Sequence, residues 1–315
     1  MVSDMINPEL LKSIEGKKRE LDSFRPLPAA IVRKLEEQFT IEWTYNTNAI
    51  EGNTLSLQET ELVINRGITI GNKTMREHFE AINHKEGIQY LYSFVKKKKK
   101  LDEAALLELP KIILKNINDA DGGHYRSANI MITGAIHIPP SGIKIQRLMN
   151  EFFEWYYKNK SKLSVVELAA WVHYKIVWIH PFIEGNGRTA RLLMNLLLIQ
   201  NGYPPAVILN LDRRKYYRLL KEADRENHNG FIDFIGRSIE RSLLIYLNTI
   251  KSQNDTENKY GYISLLEASK QCDYSMEYLS FLARTGKLQA IKIRRNWMTT
   301  REAVLDYVKK ISNDK

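Results

Sequence analysis

The stretch His180-Pro181-Phe182-Ile183-Glu184-Gly185-Asn186-Gly187-Arg188 leaves the backbone little choice of path. Proline pushes the residue before it out of helical conformation, so a helix arriving at His180 must stop there. Gly185 and Gly187 flank Asn186, which lets the chain turn tightly and present bare N–H groups. A new helix is expected from about Arg188. A helix that opens on such a turn gathers oriented amides and the positive end of its dipole into an anion cradle.

The side chains around the cradle are suited to phosphate chemistry. Arg188 and Arg191 bring fixed positive charge, and guanidinium forks match phosphate oxygens. Glu184 offers a hard oxygen ligand for Mg²⁺, an ion that takes few protein carboxylates together with phosphates and water. His180 stands at the mouth, where a neutral imidazole, with an ordinary pKa of about 6.5, can accept a proton from an attacking hydroxyl. Together they point to phosphoryl or nucleotidyl transfer onto a group supplied from outside.

Most of the chain reads as helix. A long helical pattern covers 26–52 and closes at Gly52. Ser56 to Glu59 forms a capping box, as does Ser164 to Glu167 ahead of the helix that ends at His180. Further helices are expected at about 74–95, 103–117, 144–158, 164–179, 188–201, 213–226 and 230–250. Within 123–140, the β-branched run around Ile130, Ile132, Ile136 and Ile138 turns at Gly134 and ends at Pro139-Pro140, the pattern of a hairpin. The polar run 251–259 reads as a linker. Beyond it, short helices at 265–271, 276–285 and 300–311 bracket a small β-wing at 288–297.

The loop motif is identified as that of the Fic family, His-Pro-Phe-x-(Asp/Glu)-Gly-Asn-Gly-(Lys/Arg)-x-x-Arg, matched at every defined position through Arg191. The resemblance extends over about residues 30–250. It implies a mainly α fold, a Fic helical bundle with a β-hairpin flap, in most members a protein adenylyltransferase. By resemblance, His180 is the general base and Glu184 the magnesium ligand. Gly185, Asn186 and Gly187 hold the α- and β-phosphates of ATP, Arg188 contacts the phosphates, and Arg191 meets the γ-phosphate. Ile136, His137 and Ile138 correspond to the flap that aligns an extended segment of the target protein. Tyr125-Arg126 matches another recurrent feature. Tyr216 and Tyr217 resemble the tyrosines beside the adenine, with Tyr217 taken as the nucleotide ligand. The asparagine many members carry seven residues later is Asp224 here.

Thr47-Asn48-Ala49-Ile50-Glu51-Gly52 resembles the family's inhibitory motif, Ser/Thr-x-x-x-Glu-(Gly/Asn). Thr47 and Glu51, four apart, share one helix face. The resemblance implies that Glu51 pairs with Arg191 and blocks the γ-phosphate, a brake on the reaction. Some members also use this glutamate to remove AMP. Whether this chain also does so the sequence leaves open.

The expected organisation is therefore an N-terminal extension (1–25), a helical region with the inhibitory motif (26–60), a Fic catalytic domain (61–250), a linker (251–259) and a C-terminal module (260–315). That last segment resembles a winged helix-turn-helix, with ten Lys/Arg against six Asp/Glu. Its second helix would suit a major groove, and Lys292, Arg294 and Arg295 would touch phosphates. DNA and protein both remain open as its partner. A net charge of +10 favours polyanionic partners, and five of those charges fall in the Lys96–Lys100 run, read as a solvated helix end.

One cysteine, Cys272, excludes an internal disulfide or cysteine cluster. With no signal-peptide pattern at the N-terminus and the apolar run 192–200 too short to span a bilayer, a cytoplasmic protein without membrane partners is expected. ATP and an unidentified target protein are the expected partners, and pairing into a homodimer is open. Two readings compete with adenylyl transfer: a Doc-like phosphotransferase that binds ATP in reverse, and a DNA-binding regulator with an inactive Fic scaffold. Intact His180 and Glu184 weigh against the second.

Overall fold

The computed structural model describes residues 5–132, 137–258, 262–270, 272, 274–293 and 296–313. The chain divides into two compact units, 1–247 and 248–315. In the first, the helices are α1 (Pro8–Ser23), α2 (Ala29–Ile50), α3 (Leu57–Arg66), α4 (Met75–Lys96), α5 (Glu103–Leu114), α6 (Ile145–Asn159), α7 (Val165–Ile179), α8 (Asn186–Gln200) and α9 (Arg213–Ala223). The unit boundary falls within α10 (Asn229–Asn258).

Helix α8 is the axis of this unit. Twelve of its fifteen residues are buried, among them Leu192, Leu193, Leu196, Leu197 and Leu198. A helix buried on every side has to be surrounded, and α2, α4, α5 and α7 all pack on it. Against α4 the approach is close: a Cβ on Gly87 would come 3.0 Å from Leu192. Both expected capping boxes form, at Ser56/Glu59 and Ser164/Glu167, and a third opens α4 at Thr74/Glu77.

Two features depart from the sequence reading, and a third lies partly outside the described residues. Residues 1–25 are not a mere extension. Asn7 caps α1 with Pro8 in its first turn, and Ile6, Leu10, Ile14 and Leu21 are buried. Gly236 of α10 makes room for them, since a Cβ there would meet Ile6 at 2.8 Å and Leu10 at 3.2 Å. The expected linker, 251–259, is helical through Asn258. Its residues are polar but include no glycine or proline, and polarity alone does not end a helix. In the segment expected to form the flap hairpin, no strand ladder is present among the described residues. Gly134 and Ile136 lie outside them.

The second unit has its own core. Strand β1 (Tyr262–Ser264), α11 (Leu265–Ser269), α12 (Met276–Arg284), β2 (Ala290–Ile293), β3 (Asn296–Thr300) and α13 (Arg301–Asn313) follow in order. The strands form one antiparallel sheet in the order β1-β3-β2, with Ile263 opposite Thr299 and Lys292 opposite Trp297. Leu265, Leu279, Leu282, Leu288 and Val304 are buried together.

Candidate active site

The loop between α7 and α8 is held from within and from outside. Asn186 is buried, and its side chain accepts from Phe182 N at 2.9 Å and donates to Phe182 O at 2.8 Å. Gly185, at φ +80°, supplies the left-handed turn that opens α8. From outside, Arg126 donates to His180 O at 2.8 Å, to Ala128 O at 2.7 Å and to Pro140 O at 2.7 Å. Its own amide donates to Pro181 O at 2.9 Å. Arg126 thus ties the loop to both flanks of the expected flap, and it is 3% exposed.

His180 caps α7 in the left-handed region, φ 51° and ψ 59°. A non-glycine residue held there stores strain that the surrounding structure must enforce, a pattern common at functional sites. Its Nδ1 lies 3.2 Å from Val177 O. That contact assigns the proton to Nδ1 and leaves Nε2 as the acceptor. The imidazole is not at its ordinary pKa. Burial, with help from Arg126 and His137, lowers it to about 4, against the opposing pull of the Val177 carbonyl and Glu51. At neutral pH it is an uncharged base.

Arg191 is buried, its side chain 2% exposed. Nε donates to Thr47 Oγ1 at 2.5 Å, and Nη2 donates to Glu51 Oε1 at 2.5 Å and to Thr47 O at 3.2 Å. Desolvation pushes the Glu51 carboxyl up, but the charge and hydrogen bond of Arg191 outweigh it and hold the group below the usual carboxylate range. The same carboxylate lies directly over the cradle. A Cβ on Gly187 would stand 2.3 Å from Glu51 Oε1 and 3.1 Å from Arg191 Nη1.

Two cavities meet at Glu51. On one side is a cavity of 640 Å³ lined by Asn53, Arg76, Glu184, Gly185, Asn186 and Arg188. On the other is a cavity of 820 Å³ lined by Arg191, Arg213, Arg218, Tyr216, Tyr217 and Asp224. Glu51, Ile132, His180 and Gly187 border both.

The other expected site residues are placed as follows. Tyr217 faces the larger cavity, its ring under the Arg213 guanidinium at 5.1 Å. Tyr216 is buried and bonds His173 Nε2 at 3.1 Å, so it also belongs to the core. His137 Nε2 lies 2.8 Å from Trp178 O, whereas Ile138 is 79% exposed. Arg188 is buried, and its Nε and Nη1 have no hydrogen-bond partner. Orphaned guanidinium donors beside a glycine turn fit a polyphosphate.

Glu184 Oε1 is held by Arg76 Nη2 and by Arg188 Nη2, the latter at 3.2 Å. Among the described residues no cluster of three or more His, Cys, Asp or Glu side chains could hold a metal alone. A single carboxylate beside a phosphate cradle is the donor set Mg²⁺ favours, so the residues fit that ion. Sequence reasoning missed Arg76, Glu80 and Asn53. Their signal is spatial only: α4 brings Arg76 and Glu80 to the loop, and Asn53, just after α2, reaches them through Glu80.

Fold and loop define a helical domain in which a glycine turn, two buried arginines and a histidine meet at the start of α8. Residues 100–198 match the model of the Fic/DOC family, and over them the chain belongs to that family. It is 34% identical over 244 residues to the protein adenylyltransferase Fic of Nematostella vectensis, covering 77% of this chain and 56% of that protein. With the protein of that name from Drosophila ananassae, identity is 34% over 247 residues, covering 78% and 49%. The chain spans about half the length of these curated relatives. Among solved structures, a Fic domain containing signaling protein from Bacteroides thetaiotaomicron superposes with a TM-score of 0.71 at 29% identity, covering 76% of this chain and 98% of that one. Fic-1 from C. elegans gives 0.71 at 27% identity, covering 78% and 74%.

Proposed function

We propose that this chain is an autoinhibited protein adenylyltransferase, moving AMP from ATP onto a Tyr, Ser or Thr hydroxyl of a target protein and of itself. The observation that carries the autoinhibition is Glu51 Oε1 in the space above Gly187 while bonded to Arg191. In this state the cradle is occupied by a carboxylate and the arginine for the γ-phosphate is engaged.

Once Glu51 withdraws, a nucleotide would lie across the two cavities, with the base toward Tyr217 and the phosphates over Gly185, Asn186 and Gly187. Arg188 and Arg191 bind the phosphate oxygens. His180 Nε2 takes the proton of the incoming hydroxyl as its oxygen bonds the α-phosphorus. The bond to the bridging oxygen breaks, and pyrophosphate leaves with that electron pair. Glu184 would hold Mg²⁺, which supplies charge neutralisation for the phosphates when bound. The segment 130–138 would align the target, with Ile136, His137 and Ile138 as its docking residues.

A cytoplasmic setting is supported by the single free thiol, Cys272, and among the described residues no helix is long and apolar enough to cross a membrane. For the C-terminal unit we propose a winged helix-turn-helix in which α12 is the recognition helix. Lys292, Arg294 and Arg295, expected to meet phosphates, have side chains outside the described residues. Homodimer formation is proposed from family resemblance alone.

The test is intact-protein mass spectrometry after incubation with ATP and Mg²⁺. A gain the size of AMP that is larger in Glu51→Gly than in wild type, and absent from His180→Ala/Glu51→Gly, supports reaction, base and brake together. A phosphate-sized gain would move the assignment to the reversed-nucleotide kinases.

A further inference from the structure

Arg76 occupies the second position of α4, two residues after the N-cap Thr74. A fixed cation in a helix's first turn faces the positive end of the dipole, so local helix electrostatics disfavour an arginine at this position. Its side chain is 52% exposed, yet it turns onto two carboxylates. Nε donates to Glu80 Oε1 at 3.3 Å, and Nη2 donates to Glu184 Oε1. Arg188 Nη2 takes the same Glu184 oxygen at 3.2 Å. Glu80 steadies the group: it accepts from Asn53 Nδ2 at 2.9 Å, and its Oε1 lies 3.7 Å from Arg188 Nη1.

One carboxylate oxygen therefore carries two guanidiniums, and it belongs to the residue assigned to the divalent cation. A metal ion needs the lone pairs that those N–H groups occupy, and it repels both positive charges. For the metal to take this oxygen, one guanidinium has to leave. The Arg188 side chain is only 4% exposed and sits in the phosphate cradle, whereas Arg76 has open solvent beside it.

We propose that Arg76 is a metal-competing latch on Glu184, which holds the carboxylate until a divalent cation arriving with the nucleotide displaces it. This rests on the nucleotide-transfer reading given above. The site then has two closures: Glu51 over the phosphate cradle, and Arg76 over the metal ligand. Asn53, two residues after Glu51, bonds the Glu80 that positions Arg76, which sets the second closure two residues along the chain from the first.

The experiment is calorimetric titration of ATP into full-length Glu51→Gly/His180→Ala protein, with and without Mg²⁺. This background leaves the cradle open and prevents turnover. The quantity read is the factor by which Mg²⁺ tightens ATP binding. Loss of the Arg76 charge weakens ATP in both conditions, so the ratio isolates the metal. Adding Arg76→Ala is expected to raise that factor roughly two- to fivefold, the scale of a partly exposed ion pair. Arg76→Lys should raise it less. With Glu184→Ala also present, Arg76→Ala should have no further effect. An unchanged or smaller factor in Arg76→Ala overturns the latch alone, and so does an equal rise in the absence of Glu184. Failure of ATP to bind in either condition overturns both the latch and the nucleotide-transfer reading.

Discussion

Because burial holds the His180 imidazole down at about 4, the base is uncharged across the whole neutral range. The sign follows directly: the base fails only when it gains a proton, so activity is lost as pH falls through the folded-state value. Removing Glu51 deletes a neighbour that raises this value, which moves the limb lower still. In Glu51→Gly, kcat/KM for AMP transfer, which reports the free enzyme, should hold from pH 8 to about 5 and decline below that. A decline centred near 6.5 would mean that His180 is solvated and not the buried base described here. Gly187 gives a second prediction. Its missing Cβ is what lets Glu51 reach the cradle, 2.3 Å from where that atom would lie. Gly187→Ala should therefore lower the thermal midpoint more in the wild-type background than in Glu51→Gly, where the clash is absent. Coupling of about 0.5–3 kcal/mol is usual for side chains in contact. Equal losses in the two backgrounds would place Glu51 elsewhere.

Among the elements, α1 offers the clearest mutational test. Ile14 is fully buried and lies against α10, 3.4 Å from where a Gly236 Cβ would be. Ile14→Ala should cost about 2–5 kcal/mol in urea unfolding, the range for such core truncations. A loss below about 0.5 kcal/mol, the level of surface changes, would show that α1 is not part of the core. The signals for α1 were in the sequence: Asn7-Pro8 as a helix start, then Leu10, Ile14 and Leu21 on one face. The charged residues between them, Lys12, Glu15, Lys17, Lys18, Arg19 and Glu20, mask that stripe. The 180–191 loop was legible because glycine, proline and histidine constrain the backbone locally, and the pairing of Thr47 and Glu51 followed from helical spacing. Arg76, Glu80 and Asn53 were not legible, since tertiary packing alone brings them to Glu184. The depressed His180 pKa was hidden for the same reason: burial is a property of the neighbours, not of the residue.

At the scale of the molecule, the residues assigned to chemistry, brake and latch lie between Thr47 and Asp224, inside the first unit. The second unit has a separate core built around Leu265, Leu279, Leu282 and Leu288, as an independently folding module would. Ending the Glu51→Gly chain after Asn258 should leave its self-modification rate roughly unchanged. A loss of activity with the first unit still folded, judged by circular dichroism and ATP binding, would tie the second unit to catalysis. The central claim concerns a single carboxylate, and the rate of AMP incorporation measured side by side in wild type and Glu51→Gly tests it most directly. A coupling of 1–3 kcal/mol predicts about a 5–150-fold faster gain in Glu51→Gly. Equal rates would show that Glu51, though seated over Gly187 and bonded to Arg191, does not restrain the reaction.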